Sequence, residues 1–287
     1  MIKIIIGVGL LGLLQTIAHS QVHPKTYNAV IAGCTDSIYS VVLSETRKIN
    51  IYLPEEYSPD SANSYPVIYL LDGGAKEDFV HIAGLVKFAA TPWVKMVPPS
   101  IVVGIENVNR KRDFTFMPAN LNFFSRMGMD KSSFPEFGGS AKFISFIETE
   151  LQPYINKNYK TNTSRTLIGE SLAGLLATEI LLKKSSLFDT YIIISPGLWW
   201  DNASLLFPKS TSFIHHPNSK ILKLYIGAPN KNEEIIMYND AKHLADVLKH
   251  YKTRVKVFFD YIPAETHATV IHQAVYNAFK LINTPAL

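Results

Sequence analysis

Arg165-Thr-Leu-Ile-Gly-Glu-Ser-Leu-Ala-Gly174 is the stretch that decides the fold, and a further apolar run follows it. The pattern is typical of a short buried strand, a tight turn with Ser171 at its apex and a helix that begins near Leu172. Gly169 and Gly174 leave room beside the serine, because a strained turn of this kind brings backbone segments close together. The stretch therefore predicts a nucleophile elbow.

Backbone N–H groups beside this serine are candidates for an oxyanion hole. A helix that starts directly after Ser171 leaves the N–H of Leu172 free and directs the positive end of its dipole at the same point. A second buried strand, Tyr65–Leu71, stops at a glycine pair that ends in Gly74. We predict that the N–H groups of Leu172 and Gly74 form the hole, although a simple turn would also explain the glycine pair.

Strands and helices alternate along most of the chain, which predicts a mainly parallel sheet with helices on both faces. In such a sheet the loops at the carboxyl ends of the strands meet along one edge. Ser171, His267 and an acidic pair, Glu233 and Glu234, all follow strand-like segments. We predict that they converge as nucleophile, base and acid, with Asp240 a less favoured choice for the acid.

The first twenty residues resemble a secretory signal peptide: Lys3 precedes an apolar run over residues 4–14, and small residues lead to a cleavage point after Ser20. That apolar run is too short to cross a bilayer. We predict a periplasmic or secreted protein with no stable membrane insertion, in which residues 21–287 form a single domain.

The amino-acid composition indicates which classes of binding partner the protein is expected to have. Hydrophobic residues make up 47% of the chain and charged residues 18%, so the chain is expected to bury a large core. The net charge is +4 and no dense run of lysine and arginine occurs, which argues against binding to nucleic acid. The nine histidines show no ligand spacing in the sequence, so we predict neither a metal nor a cofactor. The sequence gives no indication of the oligomeric state.

An aromatic-rich loop at about residues 106–139 lacks clear periodicity. It could serve as a lid or a pocket wall, or it could pack a small core of its own. Trp199 and Trp200 could likewise line a substrate pocket or belong to the core. Arg112 could orient substrate, and an internal ion pair that fixes the loop is the alternative.

The chain resembles the α/β-hydrolase fold, and within it the esterase family that contains esterase D, the enterochelin and salmochelin esterases and the mycolyltransferases. Six pieces carry the resemblance in the same order: 44–54, Tyr-Leu-Leu-Asp-Gly at 69–73, Gly-Ile-Glu-Asn with Arg-x-Arg-Asp at 104–113, 169–174, Ser-Pro-Gly-Leu-Trp-Trp-Asp at 195–201 and Thr-His-Ala at 266–268. The resemblance implies Ser171 as nucleophile, His267 as base, and Leu172 and Gly74 as oxyanion donors. It leaves the acid open, and some members are thought to work with a serine and a histidine alone.

These expectations amount to an exported serine esterase that acts on a small-molecule ester through an acyl-enzyme. Siderophore esters and carbohydrate-linked esters are both candidate substrates. An acyltransferase of the mycolyltransferase type would use the same serine and histidine but admit an alcohol in place of water. A binding protein that has kept the fold without the activity is the third alternative.

Overall fold

The computed structural model describes residues 32–207 and 221–283. The predicted signal peptide, residues 1–20, lies outside the described residues. None of the helices that the structure describes is both long enough and apolar enough to cross a membrane.

Eight strands of the described chain form one sheet in the order β1-β2-β4-β3-β5-β6-β7-β8. The first two pairings, β1 with β2 and β2 with β4, are antiparallel, and all the others are parallel. The strands are β1 Cys34–Ser40, β2 Glu45–Tyr52, β3 Tyr65–Leu71, β4 Ile101–Ile105, β5 Thr161–Glu170, β6 Thr190–Ile194, β7 Leu222–Ala228 and β8 Val255–Tyr261. The mainly parallel sheet predicted from the sequence is confirmed.

The helices lie on both faces of this sheet, as parallel strands require. They are α1 Phe79–Ala89, α2 Arg110–Phe114, α3 Asn122–Arg126, α4 Ser140–Phe146, α5 Gln152–Asn158, α6 Leu172–Lys183, α7 Ile235–Lys249 and α8 Val270–Asn283. Apolar residues of α1 and α8 pack together over one face, where the core includes Ile82 and Val275. On the other face, α4 to α7 cover a larger core that includes Leu175 and Leu244.

The helix that begins at Ser140 is interrupted by one wider turn. Helix α4 continues through a π-helical turn, Ile147–Leu151, into α5. The carboxylate of Glu150 in this turn accepts hydrogen bonds from the backbone N–H groups of Val41 and Val42, at 2.9 and 3.1 Å. The turn thus ties the helix to the connection between the two opening strands.

The aromatic loop at residues 106–139 packs several of its rings into the larger core of the sheet. The Phe123, Phe124 and Phe134 rings are buried against the fully buried Trp200 ring, with centroids 4.8, 5.9 and 5.4 Å from it. The Trp200 indole N–H donates to the Phe116 carbonyl at 2.9 Å. These rings face inward and join the core that includes Leu175 and Leu244, so they do not form the separate small core given as an alternative for this loop.

A buried ion cluster fixes the start of the same loop. Arg47 is fully buried and donates to Asp113 at 2.6 Å, and it also contacts Glu45. Arg112 donates to Asp113 and to Glu45, both at 2.7 Å. The Arg112 guanidinium is engaged by two carboxylates, which is the internal ion pair given as the alternative role for this residue.

Candidate active site

Ser171 sits in a strained turn between strand β5 and helix α6. Its backbone has φ 59° and ψ −120°, a region that side-chain-bearing residues rarely adopt. A Cβ on Gly169 would lie 2.5 Å from the Ala173 carbonyl oxygen, so only glycine fits there. The Ser171 N–H donates to the Ile194 carbonyl at 3.1 Å, which anchors the turn to strand β6. The elbow geometry expected from the sequence is present.

His267 reaches this serine from the far end of the chain. It lies in the loop between β8 and α8, at the carboxyl edge of the sheet. Its Nε2 atom is 3.1 Å from Oγ of Ser171, within hydrogen-bond distance. The topology therefore brings together two of the residues that the sequence singled out.

The other ring nitrogen of His267 contacts a second serine. Nδ1 is 2.8 Å from Oγ of Ser195, which is fully buried. Ser195 follows strand β6 with φ 40°, and its N–H donates to the Gly227 carbonyl at 2.8 Å. The sequence analysis quoted Ser195 only as part of the tryptophan motif. Its position directly after a strand was the signal that could have placed it in the site.

Glu170 is the second residue that the sequence analysis missed. Its Oε1 atom lies 3.3 Å from Nδ1 of His267, and its side chain is 17% exposed. Burial, with Asp72 and Asp78 nearby, raises the pKa of the Glu170 carboxyl to about 8 in spite of Arg110. Glu170 is therefore mostly protonated at neutral pH.

The imidazole of His267 is neutral at pH 7. Burial lowers its pKa below the usual 6.5, and the nearby Arg110 cation acts in the same direction. The negative charge of Glu234 opposes both effects without overcoming them. A neutral ring can accept a proton at Nε2, which is what general-base chemistry needs.

The predicted acids lie beside the site without bonding to the imidazole. Glu233 is exposed and Glu234 is half-buried, and the N–H groups of both donate to the Asn230 carbonyl at 3.2 Å. Neither carboxylate makes a hydrogen bond to His267 among the described contacts. Asp240 lies within helix α7, where burial raises its pKa. The hydroxyl of Ser195 has the position on Nδ1 that a carboxylate takes in a Ser-His-Asp triad.

The two predicted oxyanion donors differ in availability. Leu172 is the first residue of α6, so its N–H has no acceptor within the helix. The Gly74 N–H donates to the Glu77 carboxylate at 2.6 Å, and the Glu77 N–H donates back to the Gly74 carbonyl at 2.9 Å. This reciprocal pair resembles a capping box. Glu77 must therefore move before Gly74 can donate to a substrate oxygen.

An ion pair supports the loop that carries Gly74. Arg110 donates to both carboxylate oxygens of Asp72, at 2.7 and 2.9 Å, and to the Glu170 carbonyl at 3.3 Å. The Asn107 amide bridges Asp72 and Glu77, at 2.5 and 2.8 Å. Arg110 thus links the strand end before Gly74 to the residue before Ser171.

The tryptophans occupy different environments. Trp200 is fully buried among the phenylalanines of the aromatic loop, which matches the core alternative for it. Trp199 is half-buried, with its ring centroid 6.3 Å from those of Phe123 and Phe134. Trp199 therefore keeps exposed ring surface that a ligand could contact.

Comparison with known proteins gives the family. A family model described as "Putative esterase" matches residues 40–280. The chain belongs to this esterase family. The esterase is 29% identical over 259 residues to ferri-bacillibactin esterase BesA of Bacillus subtilis, with 84% of this chain and 87% of that protein covered.

Comparison with solved structures agrees with this family assignment. The esterase matches an IroE-like serine hydrolase from Shewanella oneidensis with a TM-score of 0.75 and 30% identity, over 86% of this chain and 79% of that chain. It matches a BES protein from Bacillus cereus with a TM-score of 0.76 and 29% identity, over 91% of this chain and 99% of that chain. The fold is that of an α/β-hydrolase, and the protein is a serine hydrolase that acts on ester bonds.

Proposed function

We propose that the esterase cleaves carboxylic esters by two-step acyl transfer, with Ser171 as nucleophile and His267 as general base. The observation that carries this proposal is the 3.1 Å contact between Ser171 Oγ and His267 Nε2 at a strained strand-to-helix turn. In the first step, Nε2 takes the hydroxyl proton as Oγ bonds to the ester carbonyl carbon. The ring then gives that proton to the departing alkoxide as the ester C–O bond breaks. Water, deprotonated by the same nitrogen, releases the acid and restores Ser171.

Two serines contact the same imidazole, and their surroundings favour Ser171 as the nucleophile. Ser171 is half-buried and precedes the N-terminus of α6, whose free N–H groups and dipole stabilise a negative oxygen. Ser195 is fully buried, so an ester carbonyl cannot approach its hydroxyl. Ser195 instead accepts a hydrogen bond from the Nδ1–H group and holds the ring in the tautomer that leaves Nε2 free to act as base.

The charge that develops on His267 is stabilised by Glu170 in this scheme. When Nε2 gains a proton, the ring becomes a cation 3.3 Å from the Glu170 carboxyl. Ionised Glu170 would stabilise that cation directly, and protonated Glu170 would do so less well. Glu170 and Ser195 together take the place of the single acid sought at Glu233 or Glu234.

We assign stabilisation of the oxyanion to hydrogen bonds from the N–H groups of Leu172 and Gly74. Leu172 is ready to donate, whereas Gly74 becomes free when Glu77 rotates away. Repulsion between the Glu77 carboxylate and a developing oxyanion would favour that rotation. The half-buried ring of Trp199 is assigned to substrate contact on the basis of its exposed face.

The substrate class we propose is a siderophore ester. Two matched relatives are named as a ferri-bacillibactin esterase and a siderophore enterobactin esterase, the second from Emericella nidulans. To test the substrate class, purified protein is incubated with apo-enterobactin, ferric enterobactin and a feruloylated sugar, and released acids are quantified by chromatography. We expect at least one of the two enterobactin forms to be cleaved with a higher kcat/KM than the feruloylated sugar. The Ser171→Ala variant should cleave none of the three substrates. Preference for the feruloylated sugar would contradict the siderophore assignment.

We also propose export, on the basis of the N-terminal sequence pattern. Intact-mass analysis of the mature protein from its native host should show a chain that starts at Gln21. A mature chain that still carries Met1 would contradict cleavage of a signal peptide.

A further inference from the structure

Asp78, His81 and His272 come together on the side of the sheet covered by α1 and α8. One ligand atom from each of the three side chains lies within 4.8 Å of the other two. Asp78 directly precedes α1, His81 is in the first turn of that helix, and His272 is in the first turn of α8. No sequence pattern points to this cluster, because His272 lies far from Asp78 and His81 in the chain and only the packing of α1 on α8 joins them.

The spacing matches the coordination shell of a small divalent cation. Two atoms bound to one Zn²⁺ at ~2.0–2.1 Å in tetrahedral geometry lie roughly 3.3 Å apart. The His272 Nε2 atom is 3.3 Å from Oδ1 of Asp78. The His81 and His272 rings are 4.4 Å apart between centroids, so a small rotation of the exposed His81 ring brings its nitrogen into the same shell.

Among the described hydrogen bonds, the Asp78 carboxylate and the His272 Nε2 atom have no partner outside the cluster. Asp78 occupies the position where an aspartate usually caps a helix, yet its side chain makes no cap hydrogen bond to α1. The His272 Nε2 atom is buried, and its 3.3 Å contact with Asp78 does not have the geometry of a good hydrogen bond. A buried nitrogen of this kind is costly to leave unsatisfied. A bound cation would satisfy both groups at once.

We propose that Asp78, His81 and His272 bind a divalent transition-metal ion of the Zn²⁺ type. Two imidazoles and one carboxylate are a common ligand set for such ions, and the exposure of His81 leaves the remaining position to water. The ion joins the first turn of α1 to the first turn of α8. Helix α1 follows the loop with Gly74, and α8 follows the loop with His267. The site is therefore a structural clamp beneath two loops of the active site.

The competing explanation is an ordinary ion pair between protonated His272 and Asp78. An ion pair needs only those two residues, whereas a metal site also needs His81, whose ring packs on His272. Replacement of His81 therefore separates the two explanations.

The test is titration of the metal-free full-length protein with Zn²⁺ by calorimetry, with thermal unfolding followed in parallel. The wild type should bind one Zn²⁺ with a raised Tm, and His81→Gln and His272→Gln should each weaken binding by roughly 100-fold or more. His250→Gln, which changes an exposed histidine directly after the end of α7, is the matched control and should bind like the wild type. The Tm of each variant without metal shows whether it is folded.

A Co²⁺ titration supplies an independent signal, since the visible bands of bound Co²⁺ report a site with mixed nitrogen and oxygen ligands. These bands should disappear in both variants at His81 and His272 and persist in His250→Gln. The absence of saturable binding in the wild type would overturn the proposal. Equal binding by folded His81→Gln and the wild type would overturn it as well.

Discussion

The Ser195 hydroxyl oxygen lies 2.8 Å from Nδ1 of His267, while Nε2 of the same ring lies 3.1 Å from the Ser171 hydroxyl oxygen. One imidazole thus connects a buried serine to a serine at the tip of a strained turn. A hydroxyl is a neutral partner for Nδ1, so it can fix the ring tautomer but contributes little charge. Glu170, 3.3 Å from Nδ1, is placed to supply that charge.

Ser195→Ala tests the positioning role of the buried hydroxyl. We expect kcat to fall about fivefold with little change in KM, since a net hydrogen bond to a neutral group contributes ~1 kcal/mol. Steady-state kinetics on a p-nitrophenyl ester measure this. Ser140→Ala is the matched control, because Ser140 is also fully buried and its hydroxyl has no described partner. Unchanged kcat in Ser195→Ala would remove Ser195 from the mechanism.

The pH dependence of kcat/KM should have two parts. Activity should rise with pH through a value below 6.5, where His267 loses its proton, because burial lowers its pKa. A second rise should follow near pH 8 as Glu170 ionises and stabilises the imidazolium. In Glu170→Gln the second rise should be lost and the first kept. A profile for Glu170→Gln that overlies that of the wild type would rule out this role for Glu170.

Stability offers a second check on Glu170. Its folded-state pKa of about 8 exceeds the ordinary 4.5, so between these pH values the folded state binds more protons than the unfolded state. The contribution of Glu170 to the free energy of unfolding therefore falls as pH rises from 4.5 to 8. Chemical denaturation should show that Glu170→Gln gains stability relative to the wild type on going from pH 5 to pH 9.

Glu233→Gln and Glu234→Gln test the acids expected from the sequence. We expect kcat at the optimum to stay within about threefold of the wild type for both, because neither carboxylate bonds to Nδ1. Glu234→Gln should also shift the acid limb to lower pH, since its charge raises the pKa of His267. The exposed Glu233 should leave that limb in place. A loss of ~10⁴ in kcat for either variant would identify a conventional triad acid.

Arg47→Met tests the buried ion cluster that holds the aromatic loop. Removal of one partner leaves the buried Asp113 carboxylate short of a positive charge, so we expect a loss of about 3–5 kcal/mol in the free energy of unfolding. Urea denaturation measures it. Lys242→Ala, which breaks an exposed pair with Asp246 on α7, should cost no more than about 0.5 kcal/mol. Equal stability of the two variants would show that the cluster does not anchor the fold.

Much of the fold could be predicted from the sequence because the strands carry continuous apolar runs. Strand Tyr65–Leu71 lies where the sequence pattern put it. The short helices within the aromatic loop could not be predicted, since their apolar residues follow no period. Phe123 and Phe134 are fixed by the Trp200 ring, which is a contact between distant parts of the chain.

Residues of the candidate site could be predicted where the local backbone geometry restricts which residue types fit. Ser171 was found because its turn requires glycine at Gly169, and His267 because it follows a strand end. The partners of Nδ1 were not found. Ser195 follows a strand end, which places it at the right edge of the sheet. Whether Ser195 and Glu170 contact His267, however, depends on where the His267 ring points.

The most direct test of the account is the site of covalent labelling by a fluorophosphonate probe, located by peptide mass spectrometry. We predict a stoichiometric adduct on Ser171 that is absent in Ser171→Ala, together with a fall in kcat of roughly 10⁴- to 10⁶-fold in that variant. His267→Ala should label far more slowly, because the base that activates the hydroxyl is gone. Labelling of Ser195, or turnover near the wild-type rate in folded Ser171→Ala, would contradict the assignment of Ser171 as the nucleophile.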